Sequence, residues 1–261
     1  MRWWPVYRRE LGASLQSPAV LIFAALFFAL LGVLFARTML LFTAATQGDA
    51  QALRALENVP LNVNDYLAHQ FFGITLLLLI LSLPMLTMRL IAEERKIGTF
   101  DLLMSYPLRE IDVVAGKFAA AWSLVGLLLL LSLLFPVLMA WSSGGQMEIA
   151  PIVAGYIGLL CAGAAFVAIG LFASCLTENQ LVAGLLTLGI LLLGVLLGNL
   201  ASEDSGALAS VLRSLDILEH CDPFLRGLVR LSGVTHFAAM TIGALYLADK
   251  ALTFRRLGVI R

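Results

Sequence analysis

The chain has 261 residues, with 17 Lys and Arg balanced by 17 Asp and Glu; 61% of its residues are apolar and 13% charged. Soluble domains run nearer a quarter charged, and here the apolar excess is gathered in long uncharged runs, which excludes a large soluble core and indicates a polytopic membrane protein. Zero net charge gives no reason to expect nucleic acid, and Cys161, Cys175 and Cys221 have neither redox nor zinc spacing.

In chain order, the opening stretch MRWWPVYRRELGASLQSP places Trp3, Tyr7, Leu11 and Leu15 four residues apart, on one helix face, with Arg2, Arg9 and Gln16 elsewhere on the wheel. Tryptophan and tyrosine favour the headgroup level and arginine favours anionic lipid. The spacing predicts an interfacial helix over 1–17, anchored by Trp3, Trp4, Tyr7, Arg8 and Arg9, that turns into the first span at Ser17-Pro18. It is not a cleavable signal, because the apolar run behind it is long enough to span and carries no evident cleavage site.

Crossing the hydrocarbon takes about 20 apolar residues in a helix. Six segments qualify: about Ala19–Thr43, Phe71–Met88, Phe118–Trp141, Ile149–Leu176, Leu181–Leu200 and Leu231–Ala248. Between the first two, Gln47 to Gln70 is polar and reads as a helix or a loop. Pro84 late in the second span predicts a kink there. Ala201 to Arg230 mixes apolar residues at helical spacing with charges, which predicts short amphipathic helices at the outer mouth with a break at Pro223.

Lys and Arg accumulate on the cytoplasmic side. With six spans, the side holding both termini carries Arg2, Arg8, Arg9, Arg89, Arg95, Lys96, Arg109, Lys117, Lys250, Arg255, Arg256 and Arg261. The other side carries Arg37, Arg54, Arg213, Arg226 and Arg230. Twelve against five puts both termini, and the charged turn between spans two and three, in the cytoplasm.

That turn, AEERKIGTFDLLMSYP over Ala92 to Pro107, is the densest charge in the chain. Phe100, Leu103 and Met104 fall at i, i+3 and i+4, the face of a short amphipathic helix that Pro107 stops, with Gly98-Thr99 at its start. So short a helix needs a partner surface. Arg89 to Lys96 is expected to extend the second span and Glu110 to Lys117 to lead into the third, so the helix sits between two continuous levers.

The stretch EERKIGTFDLLMSYPLREIDVVAGKF resembles the first cytoplasmic loop of ABC-2 type transporter permeases, which reads Glu-Glu-(Lys/Arg)-x-x-Gly-Thr-apolar-(Asp/Glu)-Leu-Leu, then a Pro, then Gly-Lys entering the next span. Here these are Glu93, Glu94, Arg95, Gly98, Thr99, Phe100, Asp101, Leu102, Leu103, Pro107, Gly116 and Lys117. DPFLRGLVRLSGVTHFAAMTIGALYLADKALTFRR resembles the last outer helix and last span of the GldF-like, gliding-motility-type branch, with Thr235-His236 where that branch often has a Tyr or Phe pair. The resemblance implies one all-α transmembrane domain over 1–261, with a coupling loop at 92–107 and an outer amphipathic segment at 201–230. It implies that Glu93 to Pro107 docks in a groove of a cytosolic ATPase, with Phe100, Leu102 and Leu103 in the groove. It also implies two such ATPase subunits carrying ATP and Mg, and a second permease subunit, in a bacterial inner membrane.

No G-x-x-x-x-G-K-[ST] loop is present, since Phe118 follows Gly116-Lys117, so any ATP must be hydrolysed by a partner. The span cores carry hydroxyls such as Thr75, Ser82, Ser123 and Thr187 in place of ionisable groups, which disfavours ion coupling and intramembrane catalysis. They suit export of an amphiphilic or polymeric cargo, or force transmission without a solute; a non-transporting scaffold is the bland alternative. His69, His220 and His236 lack ligand spacing, and Glu219 to Asp222 (EHCD) reads as surface because neighbours on a helix point apart. Small residues four apart, such as Gly158/Ala162 and Gly170/Ser174, permit close helix contact within the chain or between subunits. Gly184, Gly189, Gly194 and Gly198 mark the fifth span as a dimer or pathway helix.

Overall fold

The computed structural model describes residues 3–48, 63–98, 109–142, 149–201 and 214–256. Among these, every regular element is a helix. In chain order they are α1 (Trp4–Gln16), α2 (Pro18–Thr46), α3 (Val63–Thr87), α4 (Ala92–Ile97), α5 (Glu110–Ser132), α6 (Leu134–Ser142), α7 (Ile149–Leu176), α8 (Gln180–Ala201), α9 (Ile217–Leu225) and α10 (Leu231–Arg256). Six stretches are long and apolar enough to cross a membrane: Pro18–Leu41, His69–Ile97, Glu110–Trp141, Ile149–Leu176, Gln180–Leu197 and Leu231–Phe254.

Helix α7 is the hub. Its most apolar window is 72% buried, against 11% for α2 and 17% for α8, and it packs against α3, α5, α8, α9 and α10. Apolar side chains gain nothing by leaving lipid for protein, so helices in a bilayer associate by close packing at small residues. A side chain at Gly155 would meet Phe72 of α3, one at Gly158 would meet Phe224 of α9, one at Gly163 would meet Val125 of α5, and one at Gly170 would meet Thr87 of α3. The glycines of α7 thus set where its neighbours lie.

Several elements differ from the expectation. The third span begins at Glu110 and breaks at Leu133. Pro136 lies in the first turn of α6, lacks an N–H for the Ser132 carbonyl and crowds it. The sixth span runs on to Arg256, past Ala248, because Ala248 and Leu252 bury against Ile91, Val114 and Cys175 beneath the bundle. Pro223 does not break the outer segment: it lies inside α9, which ends two residues later. There Gly227, at φ +83°, donates its N–H to the Phe224 carbonyl and the Leu228 N–H reaches the Pro223 carbonyl, so a left-handed glycine makes the stop. Asp216 starts α9, its carboxylate accepting from the Leu218 N–H at 2.9 Å. Most of the polar stretch Gln47 to Gln70 and of 201–213 lies outside the described residues.

Candidate functional site

The second span does not continue through Lys96 as one rod. Helix α3 ends at Thr87, residues 88–91 form a turn, and α4 starts at Ala92. A helix start leaves N–H groups without partners, and Ile91, the residue before α4, has no capping side chain. Ser174 of α7 fills the role from across the bundle. Its Oγ accepts the N–H of Ile91 at 3.1 Å and of Ala92 at 2.9 Å, and donates to the Met88 carbonyl at 3.3 Å. Both Ile91 and Ala92 are fully buried. Arg95 then reaches back, its Nη1 donating to the Cys175 carbonyl at 2.9 Å, at the C-terminal end of α7 where a cation is favoured. This elbow is bolted to the hub at both ends of α4.

Helix α4 has its acidic residues, Glu93 and Glu94, in the first turn and Arg95 and Lys96 in the last, each complementing the helix dipole. Gly98 ends the helix at φ +77°, with its N–H on the Arg95 carbonyl at 3.0 Å. Gly98 closes α4, and glycine is needed there because few side chains tolerate that backbone; the short helix expected to begin after Gly98-Thr99 lies outside the described residues.

An ion cluster joins the elbow to two further elements. Lys117, two turns into the third span and 1% exposed, holds Glu94 of α4 at 3.0 Å and Glu10 of α1 at 3.0 Å. Arg9 of α1 lies 3.5 Å from the other oxygen of Glu94. A lone buried ammonium would cost several kcal/mol, and the flanking carboxylates offset that cost. Helix α1 also lies tightly on α5: Val6 and the Trp3 carbonyl occupy the space a side chain at Gly116 would need, and the Tyr7 hydroxyl is 3.3 Å from Ser123 Oγ. The packed face of α1 is Trp3, Val6, Tyr7 and Glu10, which keeps Trp3 and Tyr7 of the expected Trp3-Tyr7-Leu11-Leu15 stripe but turns toward Val6 and Glu10; Leu15 is exposed. Trp4, Arg8 and Arg9 point outward, with the Trp4 ring stacked on Tyr7 at 5.2 Å.

Of the residues singled out from sequence, Glu93, Glu94, Arg95 and Gly98 meet at this elbow, whereas Thr99, Phe100, Asp101, Leu102, Leu103 and Pro107 lie outside the described residues. On α8, Gly184 faces Met88 and the Pro84 carbonyl, Gly194 faces Ile217, and Gly189 has open space beside it. Two of these glycines thus serve packing within the chain; the surroundings of Gly198 fall outside the description. Sequence reasoning did not single out Glu10, read Ser174 only as a small packing residue beside Gly170, and did not give Lys117 its carboxylate partners. Lys117 was legible as the one charge between Val113 and Trp141, since an ammonium inside a span demands partners. Nothing local marks Ser174 as a cap.

At the opposite end, the EHCD stretch is only partly surface. Cys221 is buried, its thiol pushed up by burial and then by Asp216. His220 stacks on His236 at 3.9 Å, and Asp222 pairs with Arg226 at 2.8 Å and lies 3.3 Å from His69. The fold unites histidines far apart in sequence, yet among the described residues no three His, Cys, Asp or Glu side chains gather as metal ligands.

Among the described residues, six apolar spans, all helical, with an elbow at the end of the second and an ion cluster near the start of the third, define a multi-pass membrane protein. The family model for ABC-2 family transporter proteins matches residues 4–245, and the chain belongs to that family. No curated protein matches the chain. Members are transmembrane subunits that normally work with an ATPase subunit and are not themselves the ATPase.

Proposed function

We propose that this chain is the permease subunit of an ABC transporter in which ATP hydrolysis on a separate cytosolic subunit is delivered through the Glu93 to Pro107 segment. Two ATPase subunits, each with ATP and Mg, would serve two permease subunits in a bacterial inner membrane, with both termini cytoplasmic. The output is export of an amphiphilic or polymeric cargo, or force transmission, and the C-terminal stretch favours the GldF-like branch. Trp3, Trp4, Tyr7, Arg8 and Arg9 would hold α1 at the cytoplasmic interface, and the open side of Gly189 would serve a pathway or a second subunit.

The observation that carries this reading is the attachment of α4. A push applied beyond Gly98 meets a helix fixed to α7 through Ser174 and Cys175, to α5 through Lys117, and to α1 through that same lysine. Load on the loop therefore passes into the third and fourth spans and the N-terminal helix together, with no slack joint between. The test is the double substitution Asp101→Ala with Leu103→Ala, assayed in proteoliposomes with the co-purified ATPase. Membrane insertion should be intact while ATP-driven output falls and hydrolysis no longer tracks it. Unchanged coupling in that variant, or purification from native membranes with no ATPase attached, would refute the assignment.

A further inference from the structure

A cleft of about 360 Å³ opens between α1, the elbow and α5, just outside the ion cluster. It falls within the roughly 300–1,000 Å³ typical of small-ligand sites. Its polarity is ordered by depth. Arg9, Glu10, Arg89, Glu93, Glu94 and Lys117 line the end toward the α4 turn. Val20, Leu86, Ala121 and Leu124 line the end toward the spans. Leu124 lies seven residues along α5 from Lys117, about 10 Å at the helix rise of about 1.5 Å per residue. Leu86 is likewise membrane-ward of Arg89 along the second span. Along the second and third spans the lining thus changes from charged to apolar in the direction a leaflet lipid does, from headgroup to acyl chain, with Leu90 and Ile97 the apolar side chains at the charged end.

The charges decide which headgroup fits. The rim carries three cations and three carboxylates, so a purely anionic ligand meets no net attraction. Lys117 engages Glu10 and Glu94, and Arg9 shares Glu94. Arg89 and Glu93 are left over: among the described residues neither makes an ion pair. One free guanidinium and one free carboxylate in the same cleft complement a group bearing both a phosphate and a primary ammonium. The guanidinium gives the phosphate paired N–H donors, and the ammonium gives Glu93 up to three. A choline headgroup lacks those donors, and a phosphoglycerol headgroup leaves Glu93 facing nothing positive.

We infer that this cleft is a binding site for an aminophospholipid of the ethanolamine class, its phosphate on Arg89, its ammonium on Glu93 and its acyl chains passing over Leu86 and Leu124. The orientation rests on the cytoplasmic placement of α1 and the elbow proposed above; the charge match does not. A lipid seated there lies against α1 and the turn at 88–91, where its departure would loosen the joint between them.

The test uses the full-length permease alone, in nanodiscs with equal phosphatidylethanolamine, phosphatidylglycerol and phosphatidylcholine, gently extracted and weighed by native mass spectrometry. Wild type should retain phosphatidylethanolamine over both others. Glu93→Gln keeps size and removes the negative partner, so the retained lipid should shift from phosphatidylethanolamine to phosphatidylglycerol. Arg89→Ala should lower retention of both roughly tenfold, the loss of a charge-assisted hydrogen bond. Ala13→Trp fills the cleft without altering charge and should empty it of lipid. Equal retention of the three lipids by wild type, or an unchanged ratio in Glu93→Gln, overturns the proposal. Because no ATPase is present, this result is independent of the coupling assay: a lost partner leaves the lipid ratio intact, and a flat ratio leaves coupling intact.

Discussion

Replacing Lys117 by methionine isolates the ion cluster. The substitution keeps the length of the stem and deletes the charge between two carboxylates. Each carboxylate oxygen lies 3.0 Å from Nζ, so the two are no more than about 6 Å apart. With the lysine gone they repel by about 3 kcal/mol at an effective dielectric constant of about 20, and both stay largely out of water. Breaking a buried ion pair by removing one partner costs about 3–5 kcal/mol. At roughly 2–4 °C per kcal/mol for a chain of this length, the melting temperature in detergent should fall by roughly 6–20 °C. Adding Glu10→Gln and Glu94→Gln to Lys117→Met removes the repulsion and should recover most of the loss, because a wholly neutral network is often as stable as the ionic one. Thermal unfolding of wild type, the single variant and the triple variant, followed by intrinsic fluorescence, reads the result. If Lys117→Met melts at or above wild type, or if the triple variant melts no higher than the single one, the cluster does not hold α1, α4 and α5 together.

Three further outcomes follow from the same packing. Ser174→Ala strips two buried N–H groups of their acceptor, at a cost of about 1–3 kcal/mol each; amide exchange at Ile91 and Ala92 should accelerate while exchange in mid-α7 stays slow, and equal protection would refute the cap. Gly158→Ala brings a Cβ to 2.5 Å from Phe224 Cβ and should lower stability by about 1–3 kcal/mol, whereas Gly126→Ala, with nothing within 4 Å, should be neutral by the same melt. Cys221 keeps its proton through the neutral range, since burial and neighbouring Asp216 push its thiol above the usual value of 9.0. In a Cys161→Ser, Cys175→Ser background it should resist maleimide at pH 8 until the protein unfolds. The unfolded thiol releases its proton near pH 9 while the folded one retains it, so this group makes stability fall as pH rises past that point. Labelling at the rate of a free thiol would contradict the burial.

The spans were legible because a membrane helix declares itself by length alone. The fourth was placed at Ile149–Leu176 from the uncharged run, and the structure ends it at the same residues. Ends set by local chemistry were harder. Pro136 announces the break at Leu133, but within a long apolar run its effect is masked by the greasy residues on either side. Pro223 was read as a break but lies inside α9, and only the later Gly227 shows where that helix stops; that Gly98 closes α4 is visible only in its backbone angle. The elbow itself depends on pairs eighty or more residues apart, Ser174 with Ile91 and Arg95 with Cys175, for which one sequence contains no signal. Hydroxyls within spans commonly bond their own helix, as Thr75 and Thr87 do here, so the Gly170/Ser174 spacing pointed to close packing and not to a cap.

The central claim is that a nucleotide-hydrolysing partner grips the segment beyond Gly98. A photo-crosslinking amino acid placed at Leu103 in cells, with a control at Leu193 on the exposed face of α8, tests it most directly. Irradiation should join position 103, and not position 193, to a polypeptide that is labelled by azido-ATP. Lipid adducts at position 103, or a nucleotide-free protein partner there, would contradict the account.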